Sequence, residues 1–148
     1  VYRCSILAVG DELLDGRVVD SNSEYITEKL SSLGIEVFVR IMVGDSRDDL
    51  SRALSWVIGV SDVVVVTGGL GPTDDDLTRE AVADVLELSL ERNADIEQEI
   101  AALFEKLGRN MPSNNLKQAD VIKGAIPLVA RLGTAPGQWI EYGKKHII

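Results

Sequence analysis

Four consecutive valines, Val63 to Val66, run straight into Thr67-Gly68-Gly69-Leu70-Gly71-Pro72-Thr73. A strand that is apolar at every position, rather than at alternate ones, needs cover on both faces. That is the situation of a central strand in a parallel sheet flanked by helices. The segment from Asp62 to Thr67 is therefore expected to lie at the centre of such a sheet, with a glycine turn at its carboxyl end.

The neighbouring segments supply the rest of that architecture. Cys4 to Val9 is a short apolar run closed by Gly10, and Ile35 to Val43 is rich in β-branched residues, so both read as strands. Ser21 with Glu24 has the capping-box spacing, and Tyr25, Ile26, Leu30 and Leu33 follow on one helical face before Gly34. Ser46 with Asp49 suggests the cap of a second helix, whose stripe is Leu50, Ala53, Leu54, Val57 and Ile58. Leu77, Ala81, Val82, Val85 and Leu86 mark a third helix. Ile96, Ile100, Leu103, Phe104 and Leu107 mark a fourth that ends at Gly108. Residues 109–115 read as loop, Leu116 to Ile122 as a short helix, Ala125 to Val129 as a strand, and Gln138 to Ile148 as a hairpin turning near Gly143 and Lys144. Alternating strands and helices with right-handed crossovers give a three-layer α/β/α sandwich with a mostly parallel sheet, made mixed by the terminal hairpin. No repeat or low-complexity linker divides the chain, so residues 1–148 are expected to form one domain.

Composition narrows the function. A length of 148 residues with 45% hydrophobic content suits one core. The formal net charge of −9 opposes nucleic-acid backbones and anionic membranes, which need clustered Lys and Arg. No apolar run approaches the roughly 20 residues of a membrane span, and no basic-then-apolar leader is visible, so a soluble, cytoplasmic protein is expected. The single cysteine, Cys4, lies inside a strand and has no disulfide partner. The single histidine, His146, stands apart from the loops, which disfavours zinc, and no Gly-x-Ser-x-Gly elbow supports covalent hydrolysis. A small anion is not excluded, because backbone N–H groups at a helix N-terminus attract phosphate whatever the global charge.

In open α/β sheets ligands gather beyond the carboxyl ends of the strands. Four loops fall there: Gly10 to Gly16 with Asp11, Glu12 and Asp15; the Asp45 turn; Thr67 to Asp76; and Gly133-Thr134-Ala135-Pro136-Gly137. Gly68, Gly69 and Gly71 lack Cβ atoms and let an anion approach the backbone, although a tight strand-to-helix turn alone also explains them. Asp74, Asp75 and Asp76 follow at once. Three acids beside an anion site make electrostatic sense with a cation or a proton-transfer role, and helix capping accounts for one or two of them. A hard-oxygen donor set of this kind suits Mg²⁺ or Mn²⁺. Taken alone, Asp11, Glu12 and Asp15 also fit a solvated acidic turn, and Asp45 fits a helix cap.

Together Gly10-Asp11-Glu12-Leu13-Leu14 with Gly16, Asp20-Ser21-Asn22-Ser23, the 67–73 loop with Asp75-Asp76-Leu77-Thr78, and Gly133 to Gly137 resemble the CinA (competence/damage-inducible protein A) family. The match runs from about residue 4 to the end. The resemblance implies a molybdopterin-binding-like fold and, for CinA-type domains, a metal-dependent pyrophosphatase activity on ADP-ribose. Related adenylyltransferases join AMP to molybdopterin, and a non-catalytic pterin- or nucleotide-binding module is a third possibility. Carried over by position, the resemblance makes Asp45 and Asp76 the catalytic or metal-binding pair. It places Gly10, Asp11 and Glu12 on the nucleotide side, and Thr67, Gly68, Gly69, Gly71 and Thr73 on the phosphates. Gly133, Thr134 and Gly137 form the opposite wall. The segment Asn115-Leu116-Lys117-Gln118-Ala119 favours the CinA branch.

The chain departs mildly from the family at Asp74, usually Glu, and at Ser21, usually Thr. At Val129-Ala130-Arg131-Leu132 the family commonly places Pro-Asn-Pro, so that wall is expected to differ in shape. The chain stops at Ile148 inside an apolar run, and the family's Pro-Gly-x-Pro loop and the C-terminal amidase domain of many relatives are expected beyond it. Nicotinamide-nucleotide deamidation is not expected of these residues. A homo-oligomer, dimer or trimer, is expected from the fold.

Overall fold

The structure is a computed structural model that describes residues 2–148. Eight strands and five α-helices follow one another in the order β1 (Arg3–Val9), α1 (Asp11–Leu14), α2 (Ser21–Ser32), β2 (Glu36–Val43), α3 (Arg47–Val60), β3 (Val63–Thr67) and α4 (Thr78–Leu86). They continue as β4 (Leu90–Arg92), α5 (Ala94–Lys106), a 3₁₀ helix (Ser113–Ala119), β5 (Asp120–Ile122), β6 (Ile126–Leu128), β7 (Gly137–Tyr142) and β8 (Lys145–Ile147).

The main sheet has the order β2-β1-β3-β8-β7-β6. β1 pairs parallel with β2 and β3, and β3 pairs parallel with β8. β7 then runs antiparallel to β8 and β6 antiparallel to β7, so the sheet is mixed but mostly parallel. The four-valine strand is at the centre, as its composition requires. Right-handed crossovers set α2 on one face and α3 on the other. Alternation along β1 follows. Leu7 and Val9 join a core with Leu50, Leu54 and Val57 of α3 and Val82 of α4, whereas Cys4, Ile6 and Ala8 are buried on the other side. Burial raises the Cys4 thiol to about 11, so it stays protonated and serves as core. A satellite cluster of Ile96, Ile100, Ala119 and Val121 seals α5 against the small β4–β5 sheet.

Three local readings are corrected, and one strand was not foreseen. The cap of α2 is Asp20, whose carboxylate accepts from the Ser23 amide at 3.0 Å, so Ser21 is the first helical residue instead. None of Asp74, Asp75 and Asp76 caps α4, whose N-cap is Leu77 with no side-chain bond. The short helix expected over 116–122 divides into a 3₁₀ turn and strand β5. Strand β4 has three residues, two of them charged, and carries no periodic signal.

Candidate functional site

The parallel strands β1, β2 and β3 end at Val9, Val43 and Thr67, and antiparallel β7 begins at Gly137, so all four candidate loops lie along one edge. Asp11 and Asp45 close the β1 and β2 ends against each other. The Asp45 amide donates to the Asp11 carboxylate at 2.9 Å, and the Asp11 amide donates to that of Asp45 at 3.2 Å. Ser46, not Asp45, caps α3. Burial raises the Asp45 carboxyl above the ordinary range. The Asp11 amide opposes this, and the charges of Asp11, Glu12 and Asp75 add to it. Beside this pair, a hollow of about 140 Å³ opens between Glu12, the N-terminus of α2 and Gly68. On its wall Asn22 donates to the Thr67 hydroxyl at 3.4 Å.

The glycine loop turns on Gly68 (φ +95°) and Gly69 (φ +64°). A Cβ on Gly68 would run into the Val9 carbonyl, so the loop crosses directly over the end of β1. Thr78 at the head of α4 fastens it, its hydroxyl donating to the Gly68 carbonyl at 2.7 Å and its amide to that of Gly69 at 3.2 Å. Arg79, 3% exposed, holds the next stretch, donating to the Leu70 carbonyl at 2.8 Å and the Gly71 carbonyl at 3.1 Å. Lys117 takes the stretch after that, donating to the carbonyls of Thr73 (2.8 Å) and Asp76 (2.7 Å). Four carbonyls of the loop are thus drawn inward by two cations.

Asp76 folds back into the turn it closes. Its carboxylate accepts from the Thr73 amide at 2.9 Å and hydroxyl at 2.6 Å. Burial pushes the carboxyl up, but these bonds and the Lys117 ammonium outweigh it and hold the group below the usual carboxylate range. The amide and hydroxyl donors of Thr73, assigned to phosphate by position, are therefore engaged by Asp76 itself. Asp45 and Asp76 are held by different partners, and the residue from the acidic run whose charge reaches Asp45 is Asp75. Among the described residues no group of three or more His, Cys, Asp or Glu converges into a metal cage. On the opposite wall, the Thr134 hydroxyl donates to Gln118 Oε1 at 2.8 Å, an atom that also accepts from Asn115 at 2.8 Å. Gly133 is exposed at φ +80°, and Gly137 opens β7 against Leu128.

Arg79 and Lys117 were not legible as functional. The signal for Arg79 is the pair Ala81 and Ala83 on a nine-residue helix, which marks α4 as packed nearly all round. Arg79→Met is expected to cost about 2–4 kcal/mol, because it strips two charge-assisted bonds from loop carbonyls in a buried setting. Chemical denaturation measures the loss.

The fold and this edge define an α/β/α domain of the molybdopterin-binding type, and the family model for the probable molybdopterin binding domain matches residues 5–148. A CinA-like protein from Koribacter versatilis is 48% identical over 92% of this chain, and one from Anaeromyxobacter dehalogenans is 44% identical over 99%. The protein CinA of Thermoplasma acidophilum, of unknown function, superposes with a TM-score of 0.88 at 33% identity, covering 99% of this chain and 86% of that one. The molybdopterin biosynthesis enzyme MoaB of Thermus thermophilus shares the fold, with a TM-score of 0.63 at 22% identity. The chain belongs to the CinA family. It spans 33–36% of the length of the curated relatives it matches. Among the described residues no helix is long and apolar enough to cross a membrane.

Proposed function

We propose that this domain binds the phosphates of a nucleotide or pterin at the Thr67–Thr73 loop and hydrolyses a nucleotide pyrophosphate such as ADP-ribose with Mg²⁺ or Mn²⁺. The observation that carries the reading is a glycine loop, its carbonyls drawn back by Arg79 and Lys117, set beside a half-buried carboxylate, Asp45, in a field of other acids. The donor set fits the ion. Mg²⁺ binds through one or two carboxylates and takes phosphate oxygens of the ligand for the rest, so a dispersed set of hard oxygens suits it better than a closed cage would. Asp45 and Asp76 would hold it, with Asp11 and Asp75 adding negative potential. A carboxylate offers about four acceptor positions, so Asp76 with the two Thr73 donors on it keeps about two free.

When bound, the ion would neutralise charge on the pyrophosphate oxygens. The chain does the rest. Gly68 and Gly69 let the phosphate approach the backbone, and the hollow beside Asn22 and Thr67 takes the polar body of the ligand. The Asp45 carboxylate, whose pKa burial raises, accepts the proton of the water that attacks phosphorus. The bridging P–O bond breaks, and AMP leaves with ribose 5-phosphate as the other product.

The test uses the full-length protein. AMP release from ADP-ribose with Mn²⁺ or Mg²⁺, abolished by EDTA, is the expected result. Tight binding without turnover would reassign the domain as a binding module, and ATP-dependent adenylation of molybdopterin would reassign it as a transferase.

A further inference from the structure

The 3₁₀ segment Ser113–Ala119 contacts both walls of the site yet carries none of the residues assigned to ligand or metal. Lys117 reaches across 41 and 44 positions of sequence to the carbonyls of Asp76 and Thr73, the two ends of the turn whose amide and hydroxyl hold the Asp76 carboxylate. The ammonium is largely sheltered and sits 3.5 Å from the Glu80 carboxylate, which steadies it against α4. One residue further on, Gln118 is 3% exposed and accepts from Thr134 of the opposing loop and from Asn115 below it. A single turn of chain therefore fastens Thr73–Asp76 on one side and Gly133–Gly137 on the other. Both ties are short, and the one to the turn is charge-assisted. In a chain of net charge −9, a cation placed behind the phosphate loop also offsets the acids in front of it.

We propose that Lys117 is a positioning residue that sets the Thr73–Asp76 turn in its working geometry, and that Gln118 couples this turn to Thr134 on the facing wall. This rests on the pyrophosphatase reading for its kinetic consequence, but not for its structural one. Lys117 touches neither substrate nor ion; it acts through the turn. Arginine at this place retains donors and charge, methionine retains only the stem, and glutamine retains donors without the charge.

The experiment compares full-length wild type with Lys117→Met, Lys117→Gln and Lys117→Arg, by amide hydrogen exchange and by ADP-ribose kinetics. Opening of the turn in Lys117→Met is expected to speed exchange of the Thr73 and Asp76 amides about tenfold, with β1 and β3 amides unchanged, since local opening leaves the global unfolding equilibrium alone. The Thr134 amide resonance shifts with them. An interaction needed in the transition state lowers kcat, here about tenfold or more, while KM stays within about threefold. Lys117→Arg restores both readouts, and Lys117→Gln restores exchange more than rate. Unchanged Thr73 exchange in Lys117→Met overturns the proposal. So does uniform acceleration of all amides, or melting of both neutral variants, which would make Lys117 a structural staple. If wild type leaves ADP-ribose intact, the pyrophosphatase reading fails, and the exchange pattern still decides the bracket.

Discussion

Gly68→Ala is expected to destabilise the domain by about 3 kcal/mol or more, because two costs add at one position. The residue adopts φ +95°, where an L side chain loses roughly 1–2 kcal/mol. The new methyl also meets the Val9 carbonyl, part of a buried strand, so either the loop or the end of β1 must move, at about 1–3 kcal/mol. Against a typical total of about 5–15 kcal/mol, this leaves a marginal fold. Gly133→Ala is the control. It has a similar φ, +80°, but open space around it, so only the backbone cost of about 1–2 kcal/mol applies. Urea midpoints at unchanged m separate the two. Equal losses would mean that the close crossing of the loop over β1 contributes nothing.

That crossing explains why the fold was readable and the site only partly so. Val63 to Val66, the α3 stripe and the stop at Gly34 are signals of local period and backbone freedom, and each element they announce is present. Cap chemistry was legible where one residue is a clear acceptor, as at Ser46, and misread where Asp20 and Ser21 compete side by side. The site edge follows from strand order. What spacing cannot carry is which partner takes each polar group. Asp76 lies three residues from the Thr73 donors it takes, and Lys117 lies more than forty residues from the carbonyls it holds. Nothing at its own position marks Arg79, which is buried because α4 packs against α3 and shares a core with Ile140 and Ile147 of the β7–β8 hairpin.

The two carboxylates assigned to catalysis make opposite predictions for stability and the same one for activity. Asp45→Asn and Asp76→Asn are each expected to lower ADP-ribose turnover by about 10²–10⁴-fold, the range for a lost acid–base group. The pKa of Asp76 is held down in the folded state, so its stabilisation is present above the unfolded value near 4 and fades as pH falls through the folded one. Asp76→Asn should therefore lower the melting temperature by a few degrees at pH 7 and converge with wild type in strong acid, since about 1 kcal/mol of hydrogen bonding from Thr73 is weakened. Asp45 has its pKa raised, so its contribution is intact below the unfolded value and is lost as pH rises through the folded one. Asp45→Asn should melt higher than wild type at pH 7 and not at pH 3. Mn²⁺ titration completes the argument. A cation that binds only the folded state raises the melting temperature of wild type with concentration, and each asparagine variant should lose most of that rise. A variant that melts higher, no longer turns over ADP-ribose and no longer responds to Mn²⁺ would identify Asp45 as a group kept for chemistry at the expense of stability.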